Sequence, residues 1–257
     1  MGVVNITPDS FSDGGACLDR DAAIARARQL VADGADLLDL GGESTRPGAA
    51  PVSEAGELAR VLPVLEAVRE LPVPVSIDTR RPAVMRAALA AGASMVNDIE
   101  ALAAPGALDA VAGSGCGVCL MHKQGDPATM QQAPRYDDVV GEVRAFLSQR
   151  ADAAMRAGVA RERIVLDPGF GFGKTDAHNL RLLRGLGSLA ELGFPLLAGW
   201  SRKSTLGRLT GRAPGERLPA SLAAALLAAM GGARILRVHD VRETRDALRV
   251  WEAWQAA

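Results

Sequence analysis

Eight short apolar runs punctuate the chain, and each gives way to polar or charged residues at its C-terminal end. They are "GVVNIT" (2–7), "DLLDLGGEST" (36–45), "VPVSIDT" (73–79), "SMVNDI" (94–99), "GVCLMH" (117–122), "RIVLDP" (163–168), "PLLAGWSRK" (195–203) and "RILRVHD" (234–240). Short apolar runs bounded in this way predict buried strands. Between them, apolar positions recur at helical spacing. From Asp137 to Gly158, the residues Val139, Val140, Val143, Phe146, Leu147, Ala154 and Met155 share one face, and Gly158 supplies a stop. The same pattern predicts helices over Asp21–Asp33, Glu54–Leu71, Pro82–Ala91, Ala177–Leu192, Glu216–Met230 and Val241–Trp254, with only a weak segment at Pro105–Ser114.

Strand–helix alternation repeated eight times predicts an α/β protein with a parallel sheet, and eight units are what a (β/α)8 TIM barrel needs to close. A doubly wound open sheet is the alternative. No linker or shift in composition divides residues 1–257, so a single barrel domain is expected. Because barrel active sites form where the C-terminal strand ends meet, Asn5, Thr45, Asp78, Asn97, His122, Asp167, Lys203, Arg237 and His239 are expected to converge on one mouth. Polar residues cap strand ends in any protein. Nine of mixed chemistry around one rim favour a site.

Composition narrows the partners. Lys plus Arg (29) nearly balance Asp plus Glu (30), and no stretch joins basic residues with aromatics, so no nucleic-acid partner is expected. No apolar run is long enough to cross a bilayer and no leader-like segment opens the sequence, which predicts a soluble, cytoplasmic protein without a membrane partner. Three cysteines predict reduced thiols. The redox-like spacing Cys116-Gly-Val-Cys119 lies within an apolar run, so these two read as buried strand cysteines.

One motif invites a different reading. "LDPGFGFGKT" (166–175) ends in Gly173-Lys174-Thr175, one residue short of a phosphate-binding loop. The glycine that opens such a loop is replaced by Pro168, which has no N–H to donate, so a nucleotide site is rejected. Asp167 explains the segment better. With Asp78, Asn97 and Lys203 it combines carboxylates, an amide and an ammonium, a set suited to a flat heterocycle with both donors and acceptors along its edge, and its carboxylate can take two parallel N–H bonds from an amino-pyrimidinone edge. Phe170 or Phe172 supplies an apolar wall, and the glycines let the backbone turn beside the ligand. A second set, Asn5, Arg46, Arg237 and His239 with Thr45 nearby, suits a phosphate or pyrophosphate, and Asn5 offers a hard oxygen for Mg2+. No zinc-type cluster or Ser-His-Asp arrangement is legible. His122 reads as a structural strand-end residue.

"GVVNITPDSFSDGG" (2–15), "DLGGESTRPGA" (39–49), "SIDTRRP" (76–82), "VNDI" (96–99), "LDPGFGFGK" (166–174), "SRKS" (201–204) and "RVHDV" (237–241) resemble, in order, the strand-end motifs of the dihydropteroate synthase family. The resemblance implies a pterin-binding barrel that joins 6-hydroxymethyl-7,8-dihydropterin diphosphate to p-aminobenzoate and releases pyrophosphate, with sulfonamides occupying the aminobenzoate position. It implies that Asp78, Asn97, Asp167, Lys203 and Arg237 hold the pterin, and that Asn5, Arg46, Arg237 and His239 bind the diphosphate, Asn5 also contacting Mg2+. Thr45, Arg46, Pro47, Phe172, Lys203 and Ser204 would border the aminobenzoate. Asp78, Lys203, Arg237 and His239 would carry catalysis, joined by Phe11 and Asp13 from the first loop. A homodimer is implied by the resemblance alone, since the Trp251 and Trp254 stripe reads as core packing.

The sequence departs from the family pattern at Lys123 and Asp126, where Met and Asn are usual, and at Pro219-Ala220. The short N-terminal hairpin that covers the barrel bottom in the family is expected to be absent. Two rivals share the pterin pocket. A methyltetrahydrofolate:corrinoid methyltransferase has no use for a diphosphate set, and a non-catalytic pterin-binding barrel would bind without turnover. Segments Thr7–Ala16 and Arg46–Pro51, rich in Pro and Gly and poor in apolar mass, are expected to order only on anion binding and so to complete the aminobenzoate pocket.

Overall fold

The computed structural model of the chain describes residues 1–6, 16–44, 52–125 and 129–257. Eight parallel strands form one sheet in sequence order: β1 (Gly2–Asn5), β2 (Leu38–Gly41), β3 (Val75–Asp78), β4 (Met95–Asp98), β5 (Gly117–Met121), β6 (Ile164–Asp167), β7 (Leu196–Ala198) and β8 (Ala233–Leu236). The sheet closes on itself through a parallel bridge between Gly2 and Val238, with Val3 N–H donating to Val238 O at 3.0 Å and Val238 N–H to Met1 O at 2.9 Å. This is a (β/α)8 TIM barrel, and every strand lies within a run read from the sequence except β8, which begins one residue before its run, at Ala233.

Alternation along each strand divides its side chains. Leu38, Leu40, Ile77, Val96, Val118, Leu120, Ile164 and Leu166 turn outward and are fully buried against the helices. Burying each such aliphatic side chain stabilises the fold by roughly 1.5–3 kcal/mol. Among the described residues the interior holds an apolar plug of Met1, Met95, Cys119 and Leu197, with Leu37, Val165 and Ile235 packed against it. The buried strand positions Asp39, Ser76, Asn97 and Asp167 are polar. The barrel is held from outside, and its interior is kept for chemistry.

The helices are α1 (Ala16–Ala32), α2 (Glu54–Val68), α3 (Pro82–Ala90), α4 (Ala107–Ala112), α5 (Val139–Arg156), α6 (Asp176–Arg184), α7 (Leu186–Ala190), α8 (Ser204–Thr210), α9 (Leu218–Met230) and α10 (Val241–Ala256). Local signals set their starts. Ser53 Oγ accepts from Gly56 N–H on α2, the Asp138 side chain accepts from Val140 N–H on α5, and Thr175 and His178 form a reciprocal capping box on α6. Pro219 sits in the first turn of α9, where a missing N–H costs nothing, so that departure from the family pattern is absorbed. Two expectations need correction. The helix predicted over Ala177–Leu192 is two helices meeting at Gly185, and α8 was hidden because "STLGRLT" follows a strand run without an apolar stripe of its own.

The tryptophan stripe also differs from its reading. Trp251 is half-buried, but Trp254 is 68% exposed and Val250 72%, and neighbouring α9 also exposes Leu227 and Met230, so only part of the stripe is core. Cys116 and Cys119 are free and buried, as expected. Among the described residues no helix is long and apolar enough to cross a membrane.

Candidate active site

The strand ends open into one cavity of about 900 Å3 at the C-terminal mouth of the barrel. Asn5, Asp78, Asn97, Asp167, Phe172, Lys203, Ser204, Arg237 and His239 all line it. Of the nine residues expected to converge, seven do so, namely Asn5, Asp78, Asn97, Asp167, Lys203, Arg237 and His239, and Phe172 and Ser204 join them. Phe11, Asp13, Thr45, Arg46 and Pro47, and Asp126 among the departures, lie outside the described residues, as do all of Thr7–Ala16 but Ala16 and the whole of Arg46–Pro51, the segments of the expected ordering step. His122 is an exception to the convergence: it does not line the cavity but is buried, edge-on to Phe146 at 4.9 Å.

Asp167 occupies the end of β6 and is buried, and its Oδ1 accepts the Gly169 N–H at 2.7 Å. Burial pushes its carboxyl above the ordinary range, against the pull of that N–H and of Lys203, Lys174 and Arg237. The loop that follows is built on close approach. Gly169 has φ +68°, and a Cβ there would stand 1.8 Å from His122 O; Gly173 has φ +61°, and its Cβ would stand 2.3 Å from Gln124 O. Only glycine fits either place. Lys174 closes this loop from within. Its amine is buried and reaches His122 Nδ1 at 3.0 Å, Gly169 O at 2.9 Å and Phe172 O at 3.0 Å. The lysine of the rejected nucleotide motif is thus a staple between two strand-end loops. Phe172, presented by that loop, lies 4.3 Å beneath Lys203 Nζ, a cation–π arrangement, whereas Phe170, which also lines the cavity, packs against Trp200 at 4.8 Å.

Lys203 precedes α8, and Arg202 before it adopts φ 60°. That left-handed turn is held by Asp240, whose Oδ2 accepts from Arg202 Nε at 3.1 Å, and by Ser221 Oγ, which accepts the Arg202 N–H at 3.0 Å. His239 is fixed by Ser201, whose Oγ lies 3.0 Å from its Nδ1.

Arg237 crosses the floor of the site. Its Nε donates to Asp39 Oδ2 at 2.6 Å and one Nη to Asp78 Oδ2 at 2.8 Å, which leaves three of its five N–H groups for other partners. The two carboxylates raise its already high pKa against the cost of burial. Burial raises Asp78, with Asp39, Glu57 and Asp98 adding to the effect and Arg237 opposing it. Asp39 was missed from the sequence: it sits mid-run in "DLLDLGG" and gives no strand-end signal. A charged ladder on the rim was missed as well. Arg81 bonds Glu43 at 2.9 Å and also reaches Glu57, while Glu100 takes Arg80 at 3.4 Å and Lys123 at 3.0 Å. Lys123 therefore finds a partner despite its departure from the family pattern.

No group of three or more His, Cys, Asp or Glu side chains among the described residues could hold a metal ion. The donors present fit a hard cation delivered with its own phosphate ligands and finished by one amide oxygen, which Asn5 at the mouth can supply.

Comparison with known proteins places these features in a family. Residues 1–239 match the family of pterin binding enzymes. Dihydropteroate synthase of Escherichia coli (strain K12) is 51% identical over 258 residues, covering 100% of this chain and 92% of the relative. Two solved structures of dihydropteroate synthase from Xanthomonas albilineans superpose closely. The complex with 4-aminobenzoic acid is 56% identical with a TM-score of 0.94, covering 100% of this chain and 92% of that one. The complex with 7,8-dihydropteroate is 53% identical with a TM-score of 0.91, covering 100% and 93%.

Proposed function

Because the chain belongs to the pterin-binding enzymes of the dihydropteroate synthase family, we propose that it condenses 6-hydroxymethyl-7,8-dihydropterin diphosphate with p-aminobenzoate to give 7,8-dihydropteroate and pyrophosphate, an alkyl transfer. The observation that carries this reading is the lining of a single cavity by Asp78, Asn97 and Asp167 on one side and Asn5, Arg237 and His239 on another, with Lys203 over Phe172.

In this reading the acceptors Asp78, Asn97 and Asp167 take the N–H donors of the pterin edge, and Lys203 donates to its oxygen. Asn5, Arg46, Arg237 and His239 meet the diphosphate. The bond between the exocyclic methylene carbon and the bridging oxygen breaks, and its electrons leave on pyrophosphate. The electron-rich reduced ring spreads the positive charge that forms, while Arg237 and His239 stabilise the negative charge that departs. Mg2+ held by Asn5 and the phosphate oxygens would add positive charge at the leaving group. The neutral aminobenzoate amine then forms the C–N bond and loses a proton to solvent. No strong base is needed, and the protein's contribution is orientation and charge. Thr45, Arg46, Pro47, Phe172, Lys203 and Ser204 border the aminobenzoate, which is also where a sulfonamide competes, and Phe11 and Asp13 approach from the first loop. A homodimer belongs to the same reading, with the exposed apolar side of α9 and α10 available to it.

Pyrophosphate release tests the reading. It should require both substrates and Mg2+. A methyltransferase would release none, and a binding protein would take up the pterin without turnover.

A further inference from the structure

Behind the pocket lies a carboxylate that is not part of its lining. Asp39, on β2, is completely buried, and its Oδ2 accepts from Arg237 Nε at 2.6 Å and from Asn97 Nδ2 at 3.2 Å. Both of those partners do line the cavity.

We propose that Asp39 is a positioning residue, which dictates the atom that Asn97 presents to the pterin and the plane in which Arg237 lies. The inference rests on the pterin reading of the cavity. A carboxylate can only accept, so the Asn97 amide nitrogen must turn toward Asp39 and its Oδ1 must turn the other way. Without that constraint, the carboxamide could rotate by half a turn and offer a donor instead. Asp39 therefore makes the wall from β3 through β4 to β6 a run of acceptors: Asp78, Asn97 Oδ1 and Asp167. A heterocycle that presents N–H donors to these three positions fits that wall, and one that presents acceptors there does not. The guanidinium is fixed by the same carboxylate. With Nε on Asp39 and Nη on Asp78, both ends of the planar fork are pinned.

A purely structural role fits Asp39 poorly. Its Oδ1 has no hydrogen-bond partner among the described residues, so a buried charge is kept with half of its acceptors unused. Well-packed apolar side chains commonly serve stability as well as a buried ion pair does. The charge also reaches Asp78, whose surroundings are Arg237 from the end of β8, Asp39 from β2, Glu57 from α2 and Asp98 from β4. Burial and the three carboxylates raise Asp78 while Arg237 lowers it. Removing the Asp39 charge should shift the pH at which Asp78 takes up a proton downward.

The probe is 6-hydroxymethyl-7,8-dihydropterin diphosphate, titrated into the full chain by calorimetry without aminobenzoate. Asp39→Asn offers an NH2 as well as an oxygen, so Asn97 can turn over. Its pterin affinity should fall about 10–100-fold, the scale of losing an outer-shell partner. The KM for p-aminobenzoate should stay within about twofold, the effect being confined to the pterin wall, and the acid limb of pterin binding should move to lower pH. The exchanged variant Asp39→Asn/Asn97→Asp keeps the pair's charge and reverses its hydrogen bond. A carboxylate at position 97 has no donor to present, so this variant should recover affinity to within about tenfold of the wild type. It also supplies the test if Asp39→Asn alone does not fold. Wild-type affinity in Asp39→Asn, or a folded exchanged variant that has lost pterin binding, would overturn the proposal. A wild-type chain that binds no pterin overturns the reading of the cavity and this inference with it, and that measurement is made before any substitution.

Discussion

Lys174 gives the sharpest test of how the site is built, because its amine should titrate far from where an exposed lysine does. It is 1% exposed, and burial lowers its pKa from the ordinary 10.5 to about 7, with Asp167 opposing the fall and Lys203 adding to it. The displacement corresponds to about 5 kcal/mol spent on enclosing the amine at low pH. In the unfolded chain Lys174 keeps its proton up to about 10.5, and in the folded chain it loses it at about 7. Between these values unfolding takes up a proton, so raising the pH favours the fold. Lys174→Met fills similar space without a titrating group, though it leaves the carbonyls of Gly169 and Phe172 unpaired. The quantity to follow is the difference in unfolding free energy between wild type and variant, from urea titrations at pH 6.5, 8 and 9.5, because the titrations of groups that Lys174 does not touch cancel in it, and its neighbours His122 and Asp167 titrate below that range. Linkage predicts that this difference grows by about 3 kcal/mol in favour of the wild type across that range. Below about pH 6 it should become level, since both states are then protonated. A flat difference through pH 9.5 would mean that the amine keeps its charge inside the loop, and the account of a nearly neutral staple would fail.

Two further substitutions address the same strand end. Asp167→Asn keeps an acceptor for the Gly169 N–H but sets an NH2 against a pterin donor, so pterin affinity should fall by about 2–4 kcal/mol while thermal stability holds or rises; calorimetry showing unchanged affinity would remove Asp167 from the pterin edge. Gly169→Ala forces a non-glycine residue to φ +68° and drives its Cβ into His122 O, a cost of about 2–5 kcal/mol from the left-handed backbone and the overlap together. At roughly 2–4 °C per kcal/mol in a chain of this size, the melting temperature should drop by about 5–20 °C; a loss below about 1 kcal/mol would show that the β5 and β6 loops are not packed against each other as described.

What the sequence made legible follows from what each residue's neighbours in the chain can reveal. Strands were readable because both the apolar run and the polar residue that ends it are local. Barrel closure then turned eight local endings into one site, which is why Asp78, Asn97, Asp167, Lys203, Arg237 and His239 could be named before any coordinates. His122 shares the same local signal and does not line the mouth, because Lys174 reaches it from another loop. The sequence shows Lys174 only as part of a near-miss motif: the absence of Gly at Pro168 excludes a phosphate cradle but does not say where the amine goes. Asp39 marks the opposite limit. Nothing next to it in "DLLDLGG" distinguishes it from a polar residue tolerated in a strand, since its partners Asn97 and Arg237 are 58 and 198 residues away. Residues that touch a ligand lie where the strands end and can be read from that rule. Residues that orient them lie deeper, at positions set by strand register, and register becomes visible only when the barrel is closed. The side chains most open to substitution experiments on specificity are therefore Asp39 and Lys174, which the sequence either concealed or offered for a different function.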